Sequence, residues 1–251
     1  MEMILEQRTV PRHIGIIMDG NGRWAEMRGL KRVEGHKRGV ERVTEIVEAA
    51  QALGVEVLSL YAFSIENWKR PEDEVSVIMD LLEATLSKEF LNFMREGVRF
   101  RIIGNRERLP SHVRGVIETI ETETSVNSRL VLQCALSYGG RDEIIRAVRK
   151  IISSGTAPGE VNEETLGSML DTAGIPDPDL IIRTSGEERL SNFLLWQSAY
   201  SEFYFTDTLW PDFTREELME ALREFRKRSR RFGTLEPSRT ETDTTFRGLG
   251  Y

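Results

Sequence analysis

The sequence predicts an α/β fold, a single domain with a largely parallel central sheet and helices on both faces. Three observations predict it. Short apolar runs alternate with stretches of helical periodicity along the whole chain. The 251 residues suit one large α/β domain and are ample for a hydrophobic core. Polar, glycine-bearing segments follow the apolar runs, where open α/β sheets bind ligands.

The first predicted strand is His13 to Met18, an apolar run that ends in the turn-like Asp19-Gly20-Asn21-Gly22. A helix is expected from about His36 to Leu53, with Val40, Val43, Ile46, Val47 and Ala50 at helical spacing and Gly54 as its stop. A buried strand follows at Val57 to Phe63. Pro71 opens a long helix to about Arg95, because proline suits a first helical position. Further strands are expected at Val98 to Ile103, Leu130 to Leu136 and Leu180 to Arg183, with a short one near Glu202 to Phe205. Helices fill the gaps near Ser111 to Thr124, Gly140 to Ser153 and Glu163 to Thr172, and a last one covers Arg215 to Arg230. Residues 1–12 and 234–251 read as flexible tails.

Composition narrows the function. The net charge of -7 disfavours nucleic acid as a partner, since phosphate neutralisation needs a basic face. Any anion site must be built locally. The lone cysteine, Cys134, excludes a disulfide within the chain and fits a reducing, cytoplasmic setting. No run reaches 18 apolar residues, and the first twelve residues have no apolar core of a signal peptide.

Four segments carry candidate chemistry. Asp19 directly follows the first apolar run, and Gly20 and Gly22 let backbone N–H groups approach an anion. Arg23 adds a cation. A carboxylate beside an anion cradle makes sense if Mg2+ sits between them, since Mg2+ takes one or two carboxylates plus substrate phosphates. A surface β-turn is the alternative, because Asp-Gly and Asn-Gly form turns readily. A phosphatase-type nucleophilic aspartate usually has a second aspartate two residues on, and here that residue is Asn21.

The second segment, Gly29 to Gly39, brings Arg28, Lys31, Arg32, His36 and Lys37 to a helix start, either as an anion site or as a solvated basic loop. The third, Tyr61 to Pro71, places Ser64, Glu66, Asn67, Trp68 and Arg70 after a strand. Ser64 and Asn67 could be turn formers and Trp68 core, but so many chemistries at one strand end favour a site. The fourth, Asp179 to Phe193, surrounds Gly186 with Arg183, Arg189 and hydroxyls, a convincing diphosphate site in an acidic chain. Glu202 lies in an aromatic run, where a buried carboxylate needs a metal or an arginine; otherwise it points to water from an edge.

Together these motifs resemble the cis-prenyltransferase family, whose best-known members are undecaprenyl diphosphate synthases. The matching stretches are His13 to Ala25, Gly35-His36-Lys37, Tyr61 to Pro71, Tyr138 to Arg141, Ile182 to Phe193 and Ala199 to Pro211. The resemblance implies a homodimer of modified Rossmann-like subunits, each with a hydrophobic tunnel, that adds isopentenyl units to an allylic diphosphate with Mg2+ and cis double bonds. It also implies roles. Asp19 is similar to the aspartate that engages Mg2+ and assists departure of the allylic diphosphate. Gly20, Asn21, Gly22 and Arg23 look like the allylic cradle, with Trp24, Arg32 and His36 beside it. Ser64, Ile65, Glu66, Trp68 and Arg70 look like substrate contacts on a mobile loop. Arg183, Arg189, Leu190 and Ser191 look like the isopentenyl diphosphate site, and Glu202 like the second Mg2+ ligand. Asn67 matches a position described as the proton acceptor. A neutral amide is too weak a base for that, so orienting substrate or relaying a proton to a diphosphate oxygen suits it better. Glu188 stands where the family often has histidine.

Three further expectations follow. Arg231 and Gly233 resemble a segment that reaches across the dimer. Arg226 to Arg231 is a helix-end charge run or a peripheral contact with anionic lipid. The resemblance also implies that Leu132 lies near the closed end of the tunnel; strand alternation puts it on one face with Leu130 and Cys134, opposite Val131, Gln133 and Ala135. Two other readings are weaker. A noncatalytic partner subunit would lack the site residues, which are present, and a P-loop phosphotransferase would need Gly-x-x-x-x-Gly-Lys-Ser/Thr, which is absent.

Overall fold

The computed structural model describes residues 10–228. The strands are β1 (His13–Ile17), β2 (Val57–Ser64), β3 (Val98–Ile103), β4 (Leu130–Tyr138), β5 (Leu180–Arg183) and β6 (Glu202–Phe205). They form one sheet in the order β3-β4-β2-β1-β5-β6, and every pairing is parallel. The helices are α1 (Asn21–Glu26), α2 (Arg32–Ala52), α3 (Glu72–Glu96), α4 (Ser111–Thr124), α5 (Gly140–Ser153), α6 (Glu163–Met169) and α7 (Arg215–Lys227). The chain winds from β1 toward β3 in one direction, then returns past β1 to lay down β5 and β6 on its other side. Winding therefore reverses beside β1, and the crevice beyond the carboxyl ends of β1 and β5 is the expected ligand position in such a sheet.

The pleat sorts strand residues between two cores. Ile14, Ile16, Leu58, Leu60, Leu130, Leu132, Cys134, Leu180 and Ile182 pack with α2, α3, α4 and α7. Ile17, Ala135, Tyr138 and Ile181 pack on the other face with Phe193 and Leu194. Gly15 makes that second packing possible, since a Cβ there would lie 2.6 Å from Ile181 Cδ1 and 3.1 Å from Phe193. The expected alternation along β4 is therefore present, with Gln133 buried on the second face against Ser59. No described helix is long and apolar enough to cross a membrane.

Strand positions match the sequence expectation closely, while helix starts differ in three informative places. The Asp-Gly-Asn-Gly segment is not a β-turn. Gly20 adopts φ 111 and caps α1, which starts at Asn21. Helix α2 begins at Arg32, earlier than expected, and Pro71 is the N-cap of α3 and not its first helical residue. Of the expected amino-terminal tail, residues 10–12 are held in place. Pro11 is buried, and Arg12 donates its N–H to Asp179 (2.6 Å) and pairs with Glu56 (2.5 Å). Residues 1–9 and 229–251 lie outside the described residues, and with them the rest of both tails, Arg231 and Gly233.

Two glycines of α2 set how closely α1 approaches. A Cβ at Gly35 would lie 1.9 Å from Asn21 O, and one at Gly39 would lie 2.3 Å from Asn21 Oδ1. Gly35→Ala should therefore force the helices apart, costing about 1–3 kcal/mol and lowering the melting temperature by about 3–10 °C. Gly115, inside α4, has nothing within 4 Å of its added Cβ. Gly115→Ala should stabilise by about 0.5–1 kcal/mol. Calorimetry on both variants checks the pair; a Gly35→Ala protein as stable as wild type would mean that α1 is not held by close backbone approach.

Candidate active site

The site is assembled from strand ends. Chain direction carries Asp19 out of β1 and Arg183 to the last position of β5, and the β1–β5 register places Ile17 beside Arg183. Arg183 Nη2 donates to Asp19 Oδ2 at 3.0 Å, and Nη1 donates to Ser191 Oγ at 2.6 Å and to the Arg189 carbonyl at 2.5 Å. The guanidinium is only 4% exposed. Arg23 Nη2 lies 3.4 Å from Asp19 Oδ2 and also donates to Ser185 Oγ, while Nη1 donates to Ser185 O at 3.1 Å. Burial alone would raise the Asp19 pKa. The hydrogen bond and charge of Arg183, with the charge of Arg23, outweigh it and hold the carboxyl below its ordinary value. Asp19 is therefore an anion throughout the neutral range.

Its backbone is fixed as well. Asp19 O accepts from Trp210 N–H (3.0 Å) and from Thr184 Oγ1 (2.7 Å). The segment after β5 is built from unusual backbone: Ser185, Ser191, Asn192 and Leu194 all have positive φ. Such conformations are uncommon outside glycine and tend to accompany function.

A pocket of about 540 Å3 lies over these strand ends, and its walls include Asp19, Asn21, His36, Ser64, Glu66, Asn67, Arg70, Arg183 and Ser191. That volume falls within the roughly 300–1,000 Å3 of small-molecule sites. Five buried side-chain polar atoms of the described residues lack a hydrogen-bond partner, and three of them, Asn21 Oδ1, His36 Nε2 and Arg183 Nε, belong to residues of this pocket. Native proteins rarely leave such capacity unused away from functional sites. A second, apolar cavity adjoins the first. Both are lined by Met18, Asn21, His36, Ala62 and Ile78, and the apolar one continues between α2 and α3 over Leu60, Leu132, Cys134 and Leu136.

On the far wall, Glu74 of α3 gathers the basic residues. Arg70 lies 3.2 Å, His36 3.5 Å and Arg32 3.7 Å from its carboxylate. Burial, followed by the charge of Arg70, pushes the His36 pKa down, although Glu74 opposes the shift. Ser64 and Asn67 cap the turn Ile65–Lys69 reciprocally, and the Asn67 side-chain Oδ1 accepts the Ser64 N–H at 3.0 Å. Glu66 is exposed and bonded to Asn192 Nδ2 at 3.2 Å.

Other expected site residues lie around the pocket or away from it. Gly20 and Gly22 shape the α1 start, and a Cβ at Gly22 would lie 2.6 Å from the Arg32 guanidinium, so Arg32 lies across that end. Arg189 is exposed and paired with Glu187, and Leu190 packs against the second core. Glu188 is exposed. Trp24 turns outward, donating to Asp212 at 2.8 Å under the Arg28 guanidinium. Trp68 packs edge-on against Phe63 and donates to Ser137 Oγ at 2.9 Å, which makes it part of the core rim. Ile65 lies beside Gly139. Glu202 lies away from Asp19 within the chain. It opens β6, level with Leu180, and so sits at the amino end of the sheet, roughly 10 Å along the strands from the level of Arg183. Its carboxylate is held by Arg228 at 3.0 Å. Sequence reasoning missed Glu74, Asn192 and Tyr61. Glu74 carried a faint signal, an acidic residue in a first helical turn.

The donor set suits Mg2+ of the kind shared with a substrate. One carboxylate held ionised, beside arginines and helix-start N–H groups, leaves the remaining ligands to phosphate oxygens and water. Among the described residues no group of three or more histidine, cysteine, aspartate or glutamate side chains could hold a metal unaided.

Comparison with known proteins agrees with this geometry. Residues 17–233 match the family model described as "Putative undecaprenyl diphosphate synthase". The chain is 52% identical over 231 residues to an isoprenyl transferase of Agrobacterium fabrum, covering 90% of this chain and 94% of that protein. It is 50% identical to an isoprenyl transferase of Aquifex aeolicus, covering 89% and 96%. Among solved structures, lavandulyl diphosphate synthase from Lavandula x intermedia, in complex with dimethylallyl diphosphate, superposes with a TM-score of 0.87 at 37% identity, covering 90% of this chain and 99% of that one. A "probable undecaprenyl diphosphate synthase" from Campylobacter jejuni gives 0.76 at 39% identity, covering 89% and 99%. With its parallel sheet, its arginine-held Asp19 and the adjoining apolar cavity, the chain belongs to the undecaprenyl diphosphate synthase family of cis-prenyltransferases and is a prenyltransferase enzyme.

Proposed function

We propose that the chain condenses isopentenyl diphosphate onto an allylic diphosphate, farnesyl or geranylgeranyl, in successive Mg2+-dependent steps. The product is a long cis polyprenyl diphosphate such as undecaprenyl diphosphate, a lipid carrier for glycan synthesis. One observation carries the reading: the polar pocket and the apolar cavity share one wall, so an anionic head and a growing hydrocarbon tail have adjacent places. Each five-carbon unit moved into apolar surroundings contributes roughly 4 kcal/mol at about 0.8 per carbon, offset by ordering of the chain.

The first step breaks the allylic C–O bond and leaves a carbocation beside a diphosphate. Backbone N–H groups at the start of α1, with Arg23, bind the departing diphosphate where its charge grows. Arg183, Arg189 and Ser191 hold the diphosphate of isopentenyl diphosphate and orient its double bond toward the cation. Leu190 buttresses that loop, and Arg32, His36, Arg70 and the Ser64–Trp68 turn close the opposite wall. Loss of a proton from the new C–C bonded cation completes the step. The Asn67 amide already accepts the Ser64 N–H, which suits an orienting role and leaves a diphosphate oxygen as the proton's destination. Mg2+ bound by Asp19 would supply neutralisation of charge on the diphosphate oxygens.

A homodimer is part of this proposal. Helix α5 exposes Ile145, Val148 and Ile152 on one stripe, with Tyr200 also exposed, an apolar face suited to a second copy. Release of so apolar a product suits transient contact with a membrane surface.

Four measurements test the proposal. Purified chain given labelled isopentenyl diphosphate, either primer and Mg2+ should yield long polyprenyl diphosphates; no extension of either primer would refute it. Asp19→Ala should lower kcat by about 100-fold or more with primer binding little changed, because the carboxylate acts on transition-state charge. In the same assays Asp19→Asn should raise the Mg2+ needed for half activity, and so should Glu202→Gln if Glu202 is the second Mg2+ ligand; an unchanged requirement in Glu202→Gln would remove it from that role. Leu132→Ala should lengthen the products if Leu132 blocks the tail. Ordinary core packing predicts instead about 2–5 kcal/mol lost stability with an unchanged product distribution.

A further inference from the structure

Asn192 forms contacts that no role above uses. Its backbone is left-handed, with φ 67, directly after Ser191 with φ 46. Its carbonyl accepts the Gly140 N–H at 2.7 Å, and its side-chain Oδ1 accepts the Arg141 N–H at 2.9 Å. Both donors open α5. Its remaining group, Nδ2, donates to Glu66 Oε1 at 3.2 Å. A Cβ at Gly139 would lie 2.6 Å from that nitrogen, so Gly139 leaves room for the amide. Asn192 thus touches three segments at once: the turn that presents Ser191 to Arg183, the start of α5, and the Ile65–Lys69 turn that carries Glu66.

We propose that Asn192 is a positioning residue, a latch that fastens the Ile65–Lys69 turn to the diphosphate loop through Glu66. Asparagine suits the task on two counts. It tolerates the left-handed backbone better than most residues. Its amide also offers an acceptor to Arg141 and a donor to a carboxylate at the same time. Aspartate would keep the first contact and reverse the second into repulsion. The latch holds the Ser64–Arg70 wall closed over the pocket, so that wall and the proposed isopentenyl diphosphate loop move as one unit.

The latch itself is visible without substrate, in hydrogen exchange of the ligand-free protein. Amides of residues 65–70 should exchange roughly tenfold faster in Asn192→Asp than in wild type, the size expected for one hydrogen bond to a charged group. Arg141 should keep its protection in that variant. When Asn192→Asp is combined with Glu66→Gln, the amide introduced at position 66 can donate to the carboxylate introduced at position 192. Exchange should then return to within about twofold of wild type. Unchanged exchange in Asn192→Asp, or exchange equally fast in the double variant, would overturn the latch. Asn192→Gly, which keeps the backbone freedom and loses both amide contacts, decides the matter if Asn192→Asp does not fold: faster exchange at 65–70 supports the latch and unchanged exchange overturns it. The kinetic arm rests on the proposed condensation. The loss of kcat/KM on Asn192→Asp should be about tenfold when Glu66 is intact and under about twofold in the Glu66→Gln background. Equal losses in both backgrounds would overturn the coupling, whereas a wild-type chain without condensation activity would defeat the proposed function and leave the exchange result standing.

Discussion

The bond between Arg183 and Asp19 is the interaction on which the site depends. A guanidinium buried at the end of β5 is costly unless its donors are taken, and Asp19, Ser191 and the Arg189 carbonyl take them. Asp19 belongs to the segment after β1 and the other two acceptors to the loop after β5, so satisfying one buried cation fixes the spacing of the two. The same bond, with the charge of Arg23, holds the Asp19 carboxyl below its ordinary pKa despite burial. Arg183 Nε still lacks a partner. The pair therefore holds the apo site in shape without exhausting its capacity to bind an anion.

Close backbone approach is the second constraint. Gly35 and Gly39 let Asn21 sit directly on α2, Gly15 admits Phe193 beneath the sheet end, and Gly139 leaves space for Asn192. Phe193 stacks on Tyr61 at 4.6 Å, and the Tyr61 hydroxyl donates to the Tyr138 carbonyl. These contacts hold the positive-φ residues of the 185–194 segment in conformations that the chain would not otherwise favour. Stability in the second core is thereby converted into the shape of the pocket floor.

Much of this was legible in the sequence, for physical reasons. A parallel strand buried on both faces is largely apolar, so the inner strands stood out, and ligand chemistry must follow strand ends. Asp19, Ser64, Glu66, Asn67, Arg70, Arg183 and Ser191, which line the pocket, were picked out that way. What was not legible depended on long-range packing. Asp-Gly-Asn-Gly has the local chemistry of a turn, and only docking on Gly35 and Gly39 makes it open a helix. Trp24 and Trp68 have the residue type of substrate contacts, yet Asp212 and Ser137 draw them aside. Glu202 occupies a strand position whose level in the sheet is set by pairing with Leu180. Glu74 and Asn192 act through partners far away in the chain, such as Arg32 and Glu66, which no local pattern reveals.

The central claim is that Arg183 holds Asp19 as an anion at the mouth of the pocket. The most direct measurement is the titration of the Asp19 side-chain carboxyl followed by its 13C chemical shift in the ligand-free protein. The account predicts a midpoint below the ordinary 3.8, moving upward when Arg183 is replaced by methionine. A wild-type midpoint at or above the ordinary value, or one indifferent to the loss of Arg183, would contradict it.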